Sequence, residues 1–106
     1  CVLGKDLDGD GVDETLAGSF SQFVYCWGLE DGALRWARNV GSPVNALVAG
    51  GKECVFAGLR DGRIVEIDAA GKPIRELDTK SQVTTLKPAG QGVLAATEDG
   101  RLRLIR

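Results

Sequence analysis

Apolar and polar residues alternate along this chain in short runs. Arg101-Leu102-Arg103-Leu104 alternates strictly, and Arg63-Ile64-Val65-Glu66-Ile67-Asp68 sets Ile64 and Ile67 among polar neighbours. A period of two over a few residues marks a half-buried strand. No segment keeps helical spacing over ten or more positions. The stretch 69–77 comes nearest, but Gly71 and Pro73 predict a turn followed by an outer strand. The pattern predicts strands near 1–4, 14–19, 22–28, 33–39, 43–49, 53–58, 63–68, 73–77, 82–87, 92–97 and 101–105.

These strands repeat. Ala57-Gly58-Leu59-Arg60-Asp61-Gly62-Arg63-Ile64 aligns with Ala95-Ala96-Thr97-Glu98-Asp99-Gly100-Arg101-Leu102 at an offset of 38. Ala17-Gly18 aligns with Ala57-Gly58 at 40, and Pro43-Val44-Asn45-Ala46-Leu47 with Gln82-Val83-Thr84-Thr85-Leu86 at 39. Asp61-Gly62 and Asp99-Gly100 are predicted to be equivalent two-residue hairpin turns, because Asp and Gly tolerate positive φ. Units of about 40 residues with four strands each are the blades of a β-propeller. The predicted fold is therefore all-β, a propeller segment of roughly two and a half to three four-stranded antiparallel blades. Blade one covers 1–41, blade two 42–79 and blade three 80–106, the last lacking its outer strand. The exposed blade faces and strand edges of such a segment predict, as partners, the remaining blades of a larger propeller or other copies of the chain.

Two resemblances support this reading. The segment VLGKDLDGDGVDETLAGS, residues 2–19, resembles the FG-GAP repeat, the calcium-binding blade of integrin-like propellers. The segment FVYCWGLEDGALRWARNVGSPVNAL, residues 23–47, resembles the repeat of quinoprotein-like (PQQ-like) propellers: strand, acidic-Gly turn, tryptophan, then a Gly-containing link. Together they cover the first 48 residues well and the later blades more loosely. Arg75 stands where the counterpart Trp36 stacks in the first unit, so blade two is a degenerate copy.

The chain carries a formal net charge of −2, but residues 1–14 hold five acids against one base. Close carboxylates repel one another unless a cation or solvent screens them. Asp6, Asp8, Asp10 and Glu14 occupy loop positions 1, 3, 5 and 9. Calcium takes about six to eight oxygens at about 2.3–2.6 Å, and alternate residues of a tight loop aim side chains inward. Gly9 and Gly11 let the backbone turn back, and Val12 at position 7 offers its carbonyl. The FG-GAP resemblance implies Asp6, Asp8, Asp10 and Glu14 as side-chain ligands of a structural Ca2+, with Asp13 turned away or acting from outside. That family more often has Asp at position 9, where this chain has Glu14. An EF-hand also begins D-x-D-x-D-G, but it needs an acid at position 12, which here is Ala17. Magnesium prefers stricter octahedral geometry. The alternative to a metal loop is a solvated acidic turn.

Composition narrows the function. The chain has no histidine, which removes Ser-His-Asp and Cys-His catalysis and histidine metal sites. Ser19 and Ser21 lack a base and the glycines of a nucleophile elbow, and no phosphate loop occurs. A near-neutral charge gives no reason to expect nucleic acid. No run of about 18 apolar residues predicts a membrane span. Cys1, Cys26 and Cys54 contain no CxxC pair, which argues against zinc. Cys26 and Cys54 sit in strand-like runs, either as buried thiols or as a disulfide. Trp27 and Trp36 are expected to be blade-packing aromatics rather than a ligand platform. The resulting expectation is a non-enzymatic, calcium-binding scaffold that engages a protein or glycan ligand. The alternative is part of a propeller enzyme, either a polysaccharide-acting protein or a quinone-dependent dehydrogenase, with catalysis outside this chain. Calcium loops of this type imply an extracellular or periplasmic setting.

Overall fold

The computed structural model describes residues 1–5, 14–28, 32–50, 54–89 and 92–105. Their strands are β1 (Val2–Lys5), β2 (Glu14–Gly18), β3 (Phe23–Gly28), β4 (Leu34–Asn39), β5 (Val44–Ala49), β6 (Cys54–Leu59), β7 (Arg63–Asp68), β8 (Pro73–Asp78), β9 (Val83–Ala89), β10 (Gly92–Thr97) and β11 (Leu102–Ile105). Each lies within two residues of the span expected from alternation. Among the described residues there is no helix. The segment after Gly71 is a strand that begins at Pro73, where the missing N–H disrupts no ladder.

The strands form three antiparallel meanders. The first sheet runs β1-β2-β3-β4, the second β5-β6-β7-β8 and the third β11-β10-β9. Among the described residues the third sheet has no strand beyond β11. The sheets stack face to face: β1 and β2 touch β5, and β5 and β6 touch β9.

Two cores lie between the sheets. In the first, Leu16, Val24 and Cys26 of the first sheet meet Val55, Ala57, Val65 and Ile67 of the second. In the second, Phe56 and Ile64 of the second sheet meet Val83, Val93, Ala95 and Ile105 of the third. The alternation of β3 explains the sidedness. Val24, Cys26 and Gly28 are buried, whereas Phe23, Tyr25 and Trp27 are half-buried on the opposite face. Both faces of β6 and β7 are needed, because the second sheet is covered on both sides, and every residue of β6 is buried.

Glycines set the spacing of both seams. A Cβ on Gly18 would overlap Val44, and one on Gly58 would lie 2.5 Å from Val83 Cγ1. Each glycine thus receives a β-branched residue from the next sheet. The third sheet carries Ala96 at the corresponding position.

The two Asp-Gly turns are equivalent, as the repeat predicts, but each loop holds three residues rather than two. Gly62 N–H donates to Leu59 O at 3.2 Å and Gly100 N–H to Thr97 O at 3.0 Å. Gly62 has φ +100° and Gly100 φ +85°. This is the three-residue hairpin in which a turn is followed by a left-handed residue, and it places Asp at the third turn position rather than the second. Asp61 Oδ1 accepts the Arg63 N–H at 3.0 Å and Asp99 Oδ1 the Arg101 N–H at 3.2 Å.

The first sheet makes the same turn with Gln22, which holds φ +76°. Its carbonyl accepts the Val40 N–H at 2.8 Å, as the Gly62 carbonyl accepts that of Thr79 at 2.9 Å. Lys80, with φ +61°, likewise stands where the preceding link has Gly41, with φ +82°. A side chain in the left-handed region costs on the order of 1 kcal/mol, partly offset by the greater freedom of glycine when unfolded. Gln22→Gly and Lys80→Gly are each expected to stabilise the chain by roughly 0.5–1 kcal/mol. Urea denaturation of each variant, read by circular dichroism, checks this. An unchanged or lower midpoint would show that neither side chain is strained.

Candidate functional site

The acidic loop begins and ends on paired strands. Lys5 of β1 is the register partner of Glu14 of β2, and Glu14 is in turn paired with Gly28 of β3. Asp6, Asp8, Asp10 and Val12 lie outside the described residues, as does Asp13. Of the predicted ligands, the structure therefore places Glu14 alone. Glu14 alternates with Leu16 along β2, so it shares the face turned toward the second sheet, and it is 4% exposed. Burial of a carboxylate in a strand demands compensation by donors or a cation. Among the described residues, no group of three or more Cys, Asp and Glu side chains is gathered as a metal site.

The cysteines are separated. Cys26 belongs to the first interblade core and Cys54 to the second, on opposite sides of the second sheet, so they do not meet. Each is packed as a small apolar side chain. Cys1 is exposed beside the end of β2.

The two tryptophans have different places. Trp36 lies across the first seam: its Nε1–H donates to Ala69 O at 2.9 Å, and its ring covers Gly71, where a Cβ would fall 2.6 Å from Cδ2. Arg38 Nε–H adds a bond to Gly71 O at 2.7 Å. Trp27 instead stacks on Tyr25, and Tyr25 on Phe23, with centroids 5.4 and 5.7 Å apart. This aromatic row lies on the face of the first sheet turned away from the second. Arg75, the counterpart of Trp36 in the second sheet, sits 5.8 Å over the Phe56 ring and bonds Glu66 Oε1 at 3.0 Å. The degenerate position is thus refilled by a cation over an aromatic face.

Sequence reasoning missed the clasp between each link and the hairpin turn beyond it. Ser42 Oγ accepts the Asp61 N–H at 3.1 Å, and Pro43 O accepts the Arg60 N–H at 2.9 Å. One repeat later, Ser81 Oγ accepts the Asp99 N–H at 3.2 Å, and Gln82 O accepts the Glu98 N–H at 2.8 Å. Asn39 and Asp78 cap the links, accepting the N–H groups of Gly41 and Lys80 at 2.8 and 2.9 Å. The available signal was the pairing of Asn39 and Ser42 with Asp78 and Ser81, each at an offset of 39.

These turns concentrate charge at one end of the sheets. Arg63 bonds Asp61 Oδ2 at 2.7 Å and the Val40 carbonyl, and approaches Glu76 at 3.5 Å. The Thr97 hydroxyl donates to Asp99 and holds its carboxyl below the ordinary carboxylate range, aided by the Arg101 N–H. Elsewhere, Arg75, Leu77, Arg103, Leu104 and Ile105 line an open groove of about 360 Å³ between β8 and β11.

No family model matches the sequence, and no curated protein matches it. Solved structures do. The computationally designed Ika4 protein superposes with TM-score 0.79 at 24% identity, over 97% of this chain and 62% of its own. The designed Ika8 protein gives 0.78 at 23%, over 98% of this chain and 31% of its own. BamB from Moraxella catarrhalis gives 0.72 at 19%, over 86% of this chain and 29% of its own. The chain therefore spans less than two thirds of each neighbour. At these identities the likeness is one of fold, and the fold is that of β-propeller blades.

Proposed function

We propose that this chain is a non-enzymatic propeller segment, in which a calcium ion stabilises the first blade and the blades form a scaffold for binding. The observation that carries the metal reading is the Lys5–Glu14 register pair, which ties both ends of the acidic segment to one sheet, with Glu14 buried at its end. Asp6, Asp8, Asp10 and Glu14 would supply carboxylate oxygens and Val12 its carbonyl, following the FG-GAP resemblance. Calcium there would neutralise the crowded acids and stiffen the link between β1 and β2. It has a structural role, suited to an extracellular or periplasmic setting. Other blades, or a protein or glycan ligand, would dock on the scaffold. The lack of histidine in the sequence, which removes Ser-His-Asp and Cys-His catalysis, favours binding over chemistry within this chain.

Calcium binding only to the folded loop raises stability, by about 2.7 kcal/mol at a hundredfold excess over Kd. Millimolar calcium is therefore expected to raise the unfolding temperature, and Asp8→Ala and Asp10→Ala each to abolish the rise. Titration calorimetry without heat, together with an unchanged melt, would overturn the reading. A rise that survives both substitutions would place the ion elsewhere.

A further inference from the structure

An Asp-Gly pair is open to spontaneous rearrangement, because glycine puts no Cβ in the way of its own nitrogen. The Gly nitrogen attacks the carboxyl carbon of the Asp side chain. A C–N bond closes a five-membered imide, and the carboxyl OH leaves with the amide proton as water. Water then opens the ring at the main-chain carbonyl, so the backbone continues through the Asp side chain and gains one carbon. Ring closure requires the carboxyl and the peptide that follows it to turn toward each other. Asp61-Gly62 is gripped on both sides against that turn. Asp61 Oδ1 accepts the Arg63 N–H at 3.0 Å and Oδ2 the Arg63 Nε–H at 2.7 Å. The Gly62 N–H donates to Leu59 O at 3.2 Å. The link before the sheet reaches the Asp61 N–H through Ser42 Oγ at 3.1 Å. The link after the sheet reaches Gly62 O, which accepts from Thr79 N–H at 2.9 Å and from Thr79 Oγ1 at 2.8 Å. Backbone of Ser81 lies against Gly62, its N 2.9 Å and its O 3.0 Å from where a Cβ would stand. In the first sheet the equivalent turn is Ser21-Gln22, and Val40 bonds the Gln22 carbonyl by its N–H with no hydroxyl to add. The extra hydroxyl bond thus stands at the turn that has the reactive pair.

We propose that Asp61 is a latent site of aspartate isomerisation, kept closed by the grip of the 78–81 link on the Gly62 carbonyl, with the Thr79 hydroxyl as the positioning group. The reaction needs only water and proceeds from a locally opened turn. The population of that opening falls with each hydrogen bond that holds the turn shut. Isomerisation there would reach beyond the turn. An added backbone carbon at 61 displaces Arg63, whose Nη2 donates to Val40 O at 2.6 Å and whose Nε–H holds Asp61. The 39–42 link, which leads from the first sheet to the second, would lose that bond and the one from Asp61 N–H to Ser42. All the groups involved lie between residues 40 and 81, and the inference is independent of the calcium and scaffold readings.

Prolonged warm incubation of the intact chain, followed by peptide mapping that separates aspartate from iso-aspartate, tests this. Iso-aspartate at 61 should accumulate at least tenfold more slowly in the folded chain than in the same chain held unfolded in urea. Thr79→Val removes the hydroxyl and keeps the N–H, and Val40 shows that the equivalent place accepts that side chain. It should raise the folded rate at 61 roughly two- to tenfold, the range that one net hydrogen bond spans, and leave the rate in urea unchanged. Thr79→Ser keeps a hydroxyl and should return the rate to that of the unaltered chain. Should Thr79→Val lose its β-sheet circular dichroism, Arg63→Met replaces it, because it frees Asp61 Oδ2, and the same rise is expected. Equal rates in the folded and unfolded chain, or a folded rate unmoved by Thr79→Val, would overturn the proposal. So would an equal rise at Asp99, because that marks general loosening and not release of this turn.

Discussion

Gly58→Val is expected to unseat the third blade. The new Cβ would lie 2.5 Å from Val83 Cγ1 and 3.2 Å from its Cβ, with Leu86 at 3.3 Å on the same side. The two Val83 atoms have no room to withdraw. Val83 is wholly buried and its strand is held to β10 by the ladder, while Asn45 Nδ2 binds the Val83 carbonyl at 2.9 Å. The seam must open, which separates Ile64 and Phe56 from Val93, Ala95 and Ile105. Overpacking costs about 1–3 kcal/mol where neighbours yield, and more where they do not. A loss near 3 kcal/mol would lower the melting temperature by roughly 12–20 °C in a domain of this size. The cause is testable by compensation. Val83→Ala alone should destabilise by leaving a cavity. Combined with Gly58→Val it should cost less than the sum, a coupling expected only for groups in contact. Additive losses would show that the glycine is needed for its backbone and not for its lack of a side chain.

Trp36→Ala carries the second large effect. The indole bridges the first and second sheets, lying on Gly71 and bonding Ala69 O. Truncating a packed Trp costs about 3–5 kcal/mol when fully buried, so a half-buried ring should cost roughly 2–3. Trp36→Phe keeps most of the ring and removes the N–H donor, for which about 1 kcal/mol is expected. Urea melts of the two variants separate packing from the hydrogen bond. Equal losses would assign the effect to the bond alone. A companion variant, Gly71→Ala, sets a methyl against the same ring at φ +84° and should fail for both reasons.

Positions on the second sheet show how the repeat tolerates change. Arg75 replaces tryptophan without opening the seam, because its guanidinium finds both Glu66 and the Phe56 ring. Cys26, the counterpart of Glu66, pairs with Trp36 across β3 and β4 as Glu66 pairs with Arg75 across β7 and β8. The two cross-strand pairs are alternative solutions at one site, one apolar and one ionic. Swapping a single member would leave a charge beside an aliphatic core, so the pairs are expected to exchange only together.

Much of this arrangement is local and hence legible in the residues. Strand spans follow from period two, because successive side chains of a strand point to opposite faces whatever lies beyond them. The three-sheet division follows from the repeated Ala-Gly and Asp-Gly landmarks, and the turn glycines from their freedom at positive φ. The acidic loop is a sequence feature as well: the spacing of Asp6, Asp8, Asp10 and Glu14 is what suggests calcium, and of these the structure locates Glu14 on the face toward the second sheet.

Tertiary structure decided what alternation leaves open, namely which of a strand's two faces meets which neighbour. Trp27 and Trp36 belong to the same sheet and the same expectation, yet one crosses the seam and the other joins an outward row. Their faces were assigned only when the first sheet stacked on the second. Gln22 and Lys80 carry no local mark of a left-handed backbone. They are held there by bonds across the turn and link, such as that from Val40 N–H to the Gln22 carbonyl, which forms only after β3 and β4 pair. The Ser42 and Ser81 clasps likewise join residues 19 and 18 positions apart. A hydroxyl can accept from many donors, and only the folded chain brings one particular N–H to it.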